Sequence, residues 1–106
     1  MFVRILRMQL KPDGVEGFAR TIDNEVVPIM KKFAGFAGQV AMVSNDGKEA
    51  VGISLWDRKE SAETYKKEQY AAVLKALEKH VEEKPDLRTY EVTNITFDQL
   101  LGRKAA

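Results

Sequence analysis

Three aromatic residues and two arginines hold most of the chemistry that this chain of 106 residues can offer: Trp56, Tyr65, Tyr70, Arg4 and Arg7. The stretch "SLWDRKESAETYKKEQY", Ser54 to Tyr70, contains the only tryptophan and two of the three tyrosines. A phenol can donate a hydrogen bond to a bound anion, but an ordinary pKa of about 10 makes it a poor general base at neutral pH. Tyr70 and Tyr65 are therefore candidate catalytic residues as donors, and Trp56 is a candidate wall of a substrate site. Each aromatic has a plainer reading as core packing, and the residue types alone do not choose. An arginine removed from water needs a carboxylate or an anionic ligand. Arg4 and Arg7 stand three apart in a strand-like segment and so face opposite sides, which makes either one a candidate substrate anchor. The single histidine, His80, is expected on the surface in the last turn of a helix, where an imidazolium is favoured by the helix dipole.

Composition excludes several classes of function. Seventeen basic residues against 16 acidic ones give a net charge of +1 with no block of like charge, so nothing recruits a nucleic-acid backbone. With no cysteine there is no disulfide framework and no thiolate nucleophile, and one histidine cannot assemble a multi-imidazole metal site. The longest uncharged stretch, Phe33 to Asn45, is interrupted by glycine and too short to span a bilayer. The chain opens directly on strand-like "MFVRILRMQL", without the pattern of a signal peptide, so a soluble cytoplasmic protein is expected. No nucleophile–base pair, phosphate-binding glycine loop or metal-ligand cluster stands out.

The elements that must position these residues follow from periodicity. Phe2 to Leu10 reads as a strand, and Lys11-Pro12-Asp13-Gly14 as a turn. Val15, Phe18, Ile22, Val26, Ile29 and Phe33 recur at helical steps, with a kink expected at Pro28 and a stop at Gly35. Gly38 to Ser44 and Glu49 to Trp56 read as a hairpin about Asp46-Gly47. Asp57 with Glu60 resembles a capping box for a second helix, which carries Ala62, Tyr65, Val73, Leu77 and Val81 on its inner stripe. A break is expected at Glu68-Gln69, because Tyr70 lies off the spacing set by Tyr65. Leu87 to Phe97 alternates as a last strand, and 98–106 reads as a tail beyond a single domain of residues 1–97. The order β-α-β-β-α-β is the α+β, ferredoxin-like arrangement with a four-stranded antiparallel sheet.

Two helices cover one face of such a sheet, yet both faces of these strands are apolar. Val3 and Ile5 oppose Leu6, Met8 and Leu10, while Val51, Ile53 and Leu55 alternate with Ala50, Gly52, Ser54 and Trp56. A homodimer formed through the uncovered sheet face is the economical expectation.

The run of "KPDGVEGF", "FAGFAG" and "GISLWDRKESAETY" resembles the antibiotic biosynthesis monooxygenase-like domains of the dimeric α+β barrel superfamily, over roughly Phe2 to Phe97. The resemblance implies a cofactor-independent monooxygenase acting on a small aromatic, quinol or polyketide-like substrate, with no metal and no other cofactor. A non-catalytic small-ligand-binding or interaction module on the same fold is the alternative. The haem-degrading branch of the family has a helix tryptophan where this chain has Tyr65, a histidine where it has Lys75, and a first-strand asparagine near Leu6 or Arg7. None of the three is present, so haem degradation is not expected. The quinol-oxidising branch often has a histidine where this chain has Tyr70.

Overall fold

A computed structural model describes residues 1–97, and the tail expected over 98–106 lies outside the described residues. The order is β1 (Phe2–Gln9), α1 (Val15–Thr21), a π-helical segment (Ile22–Val26), α2 (Val27–Lys31), β2 (Phe36–Val43), β3 (Glu49–Trp56), α3 (Lys59–Leu77) and β4 (Asp86–Glu91). The four strands form one antiparallel sheet in the order β2-β3-β1-β4, which is the β-α-β-β-α-β arrangement of an α+β fold.

Alternation divides β1 between two environments. Phe2, Arg4, Leu6 and Met8 face the helices, whereas Val3, Ile5 and Arg7 face the open side. The core lies on the helix side, where Trp56, Tyr65, Phe18, Leu77 and Val73 are fully buried. Each such side chain contributes roughly 1.5–3 kcal/mol on leaving water. On the open face Val40, Met42 and Tyr90 remain 44%, 46% and 50% exposed.

The first helical region departs from regular geometry where a kink was expected. Pro28 has no N–H to give the Asn24 carbonyl, and the turn before it widens: the Val27 N–H reaches back five residues to the Ile22 carbonyl. The irregularity is thus a π-helical stretch that ends before the proline. Gly35, at φ +88°, then turns the chain into β2. A Cβ there would collide with the Asp57 carboxylate and the Ser61 hydroxyl, so glycine is required on two counts.

Three other expectations are corrected. Arg58, in extended geometry, occupies the N-cap of α3, and Asp57 lies one residue outside, accepting a hydrogen bond from the Ser61 hydroxyl at 2.6 Å. The second helix runs unbroken through Glu68 and Gln69, because nothing there removes a backbone donor. The last strand stops at Glu91 rather than reaching Phe97, as its pairing partner β1 begins at Phe2, opposite Glu91.

Candidate functional site

Arg4 sits on an interior strand, on the face covered by helices, and is only 5% exposed. Its register partners are Ser54 on β3 and Thr89 on β4. Among the described residues no carboxylate lies within ion-pair distance of it; the ion pairs found join other residues. Aromatic rings take that place instead. The guanidinium carbon stands 4.6 Å from the centre of the Tyr70 ring and 5.6 Å from that of Tyr65. The ring faces attract the cation, an interaction worth about 0.5–2 kcal/mol that compensates only part of the lost hydration. Burial accordingly lowers the Arg4 pKa, with the two phenol groups opposing the shift. An arginine still carries its charge at any ordinary pH.

The two tyrosines reach Arg4 from one uninterrupted helix. They are five positions apart, which turns Tyr70 about 140° from Tyr65 around the α3 axis. Tyr65 is held in the core: it stacks on Trp56 at 5.0 Å and meets Phe33 in a perpendicular, edge-to-face pair at 5.7 Å. Burial pushes its phenol up to about 12, and pushes the half-buried Tyr70 up as well, with Arg4 opposing both shifts. Neither phenol is a base at neutral pH; both keep a proton that can be donated.

These groups line a recess between the helices and the sheet, with Ser54 and Gln39 as the other polar contributors. Apolar walls come from several elements, including Leu6, Met8, Ile22, Val26 and Met30. Non-atom space in the recess and its mouth is ≈ 460 Å³, but only ≈ 40 Å³ of it admits the centre of a water molecule. That is room for roughly three waters. A larger ligand has to displace side chains, and Met8 and Met30 are the adaptable ones. Met30 belongs to α2, a segment with no fully buried residue of its own.

The structure brings Arg4, Tyr65 and Tyr70 together and leaves two expected contributors aside. Trp56 is 0% exposed, lies behind Tyr65 and donates its indole N–H to the Ser54 hydroxyl at 3.0 Å, so it backs the recess without forming its surface. Arg7 points to the other face and pairs with Glu49 at 3.1 Å in an exposed position. His80 is also placed differently from expectation. The helix ends at Leu77, and His80 occupies the following turn, half-buried, with its Nε2 3.0 Å from the buried Thr21 hydroxyl. Gly17 permits this approach, since a Cβ there would overlap the imidazole. Burial, then Lys79 and Arg20, lower the His80 pKa against the opposing charge of Glu25, so the ring is not the favoured surface cation that the helix dipole led one to expect. Among the described residues no group of three or more His, Cys, Asp or Glu side chains could hold a metal ion. Among the described residues no helix is long and apolar enough to cross a membrane.

Gln39 is the lining residue that sequence reasoning passes over. Its signal is a polar side chain ahead of the apolar stretch "VAMV", and alternation from Phe36 assigns it to the opposite face.

No protein-family model matches the chain. No curated protein matches it either. Solved structures do. A monooxygenase, ActVA-Orf6 of Streptomyces coelicolor, in complex with the ligand nanaomycin D, superposes with a TM-score of 0.78 at 15% identity, covering 92% of this chain and 91% of that one. A variant of SnoaB, a cofactor-independent oxygenase from Streptomyces nogalater, gives 0.74 at 11% identity over 89% and 94%. A Nitrosomonas europaea protein provisionally assigned as an antibiotic biosynthesis monooxygenase gives 0.73 at 17% identity over 89% and 100%. At these identities the likeness is one of fold: the chain has the α+β fold of the antibiotic biosynthesis monooxygenase-like proteins.

Proposed function

We propose that the recess binds a small aromatic enolate or phenolate over Arg4 and that the protein is a cofactor-independent monooxygenase for such a substrate. The observation that carries this reading is the buried Arg4 guanidinium, flanked by Tyr70 and Tyr65 and lacking a carboxylate among the described residues. A fixed cation in a poorly hydrated recess lowers the energy of a bound anion, and protonated phenols beside it donate hydrogen bonds to the same charge. Among the described residues the recess has no side chain poised as a base, so the substrate must be acidic enough to ionise in solution or on binding to Arg4. The ionised ring is electron-rich and itself reduces oxygen. At a CH₂ carbon flanked by a carbonyl-conjugated ring, both C–H bonds are lost. One oxygen atom of O₂ becomes the new carbonyl, and the other leaves as water.

Anthrone, which ionises through its enol, is a suitable probe. Oxygen uptake matched one-to-one by anthraquinone, with no metal or flavin added, is expected from the wild type and lost in Arg4→Met. Uptake no faster than in buffer would overturn the catalytic reading. The ≈ 40 Å³ available to water favours a second one, a binding module that takes a small anion without turning it over. Saturable binding of anthrone-derived anion without uptake would support that alternative.

The same reading includes a homodimer, two copies packing sheet to sheet over Val40, Met42 and Tyr90, and a reducing, cytoplasmic setting consistent with the absence of cysteine. A monomer by light scattering at micromolar concentration would remove the dimer from it.

A further inference from the structure

On the helix-facing side of the sheet a line of polar residues runs from edge to edge. Gln39 on β2 pairs in register with Ser54 on β3, Ser54 with Arg4 on β1, and Arg4 with Thr89 on β4. On one side of this line lie Phe36, Trp56, Phe2 and, at the exposed end of β4, Glu91; on the other, Ala41, Gly52, Leu6 and Leu87. Three of the four polar residues, Gln39, Ser54 and Arg4, line the recess, and Thr89 does not.

The sheet deviates from regular geometry at the residue that completes this line. Phe36 and Gln39 are three apart, which in an even strand puts them on opposite faces. A shift of register between Phe36 and Gly38 inserts one residue, so Phe36 opposite Trp56 and Gln39 opposite Ser54 both face the helices. Bulges re-aim side chains in this way, often beside functional sites. Ser54 is occupied by the Trp56 indole N–H. Gln39 has no side-chain hydrogen bond to any of the described residues, and on the edge strand it is only partly buried. Two strand spacings, about 10 Å of backbone, separate it from Arg4. Both side chains line the recess, so a cation and an amide that can donate or accept face the same space from two strands apart, and a ring placed between them has to displace the apolar side chains there.

We infer that Gln39 is a specificity-determining residue, selecting aromatic anions that carry a second oxygen, hydroxyl or carbonyl, on the far side of the ring from the charge held by Arg4. This inference rests on the anion-binding reading above and adds a second point of recognition to it. A ligand with a bare far edge satisfies Arg4 and leaves the amide to water, so the difference in affinity measures Gln39 alone.

The test compares 6-hydroxy-2-naphthoate with 2-naphthoate by equilibrium titration, the carboxylate standing in for the ring anion and the hydroxyl being the only difference. The wild type is expected to bind the hydroxylated probe about fivefold more tightly, the effect of one hydrogen bond. Gln39→Leu is expected to bring the ratio close to one. Thr89→Val, at the opposite end of the line and outside the recess, is expected to leave both affinities unchanged. A wild-type preference that persists in Gln39→Leu, or that Thr89→Val abolishes equally, would overturn the assignment to Gln39 while leaving anion binding at Arg4 intact. Equal affinities in the wild type would do the same. If neither probe binds the folded wild type, this inference fails together with the reading it rests on.

Discussion

Arg4 and Arg7 are the same residue type on one strand, three positions apart, and they illustrate how far the face of a sheet decides what an arginine does. Arg7 projects to the open side, where water hydrates it and Glu49 meets it at 3.1 Å. Exposed pairs of this kind contribute about 0–1 kcal/mol. Arg4 projects under the helices, is 5% exposed, and has ring faces where Arg7 has a carboxylate. The first arginine is stabilised in place by its surroundings. The second is held by the fold at a cost, and that cost falls when an anion arrives.

The largest effects should come from removing this difference. Arg4→Met is expected to lower affinity for an aromatic anion on the order of several hundredfold, since it deletes the buried partner of the charge. The same change should raise stability in denaturant titrations by roughly 1–2 kcal/mol, because an unpaired buried charge gives way to an apolar chain of similar reach. A loss of both stability and binding would mean that Arg4 is a structural cation. Next is the alkaline limb of stability. The Tyr65 phenol is raised from 10.0 to about 12, so the unfolded chain ionises first. Its contribution is complete below pH 10 and declines by roughly 3 kcal/mol as pH rises to 12. Tyr65→Phe should flatten that limb in chemical denaturation, and an unchanged curve would argue against the stacked, buried placement on Trp56.

Smaller effects separate the rims of the two environments. Tyr70→Phe keeps the ring over Arg4 and removes only the hydroxyl, so about a fivefold loss of anion affinity with unaltered stability is expected. Equal affinity would show that Tyr70 serves as a lid on the cation and not as a donor to the ligand. Smallest is Arg7→Met, which should shift stability by less than about 1 kcal/mol and leave anion binding alone. A large change in binding would show that Arg7 reaches a ligand after all, through a second copy on the open face.

Much of the frame was legible because it rests on local rules. The alternation in β1, the Asp46-Gly47 hairpin and the helical spacing from Val15 to Phe33 are short-range patterns, and they lead to the observed element order. The opposed faces of Arg4 and Arg7 follow from the same period of two. Boundaries were less legible. Asp57 has the chemistry of a cap, yet the backbone of Arg58 takes that position, because Asp57 is bound through its N–H to the Gly35 carbonyl at 2.8 Å. His80 reads as the end of a helix, but the chain leaves the helix at Leu77, and the Lys11 N–H bonds to the His80 carbonyl at 2.9 Å. Both errors come from contacts between segments far apart in sequence. Gln39 is the instructive omission: a one-residue bulge reverses the face of a side chain, and its one trace in "FAGQ" is Gly38, a glycine inside the strand that does not by itself fix which residue is inserted.

The placement of Trp56 has a practical consequence beyond packing. It is the only tryptophan, wholly buried, stacked on the same Tyr65 that touches Arg4, and tied through its indole nitrogen to Ser54 on the wall of the recess. A single indole, excited apart from the tyrosines at the red edge of its absorption, therefore stands one side chain away from any occupant, shielded from bulk quenchers. The chain carries its own optical gauge, and filling or emptying the recess should register in its emission without a label.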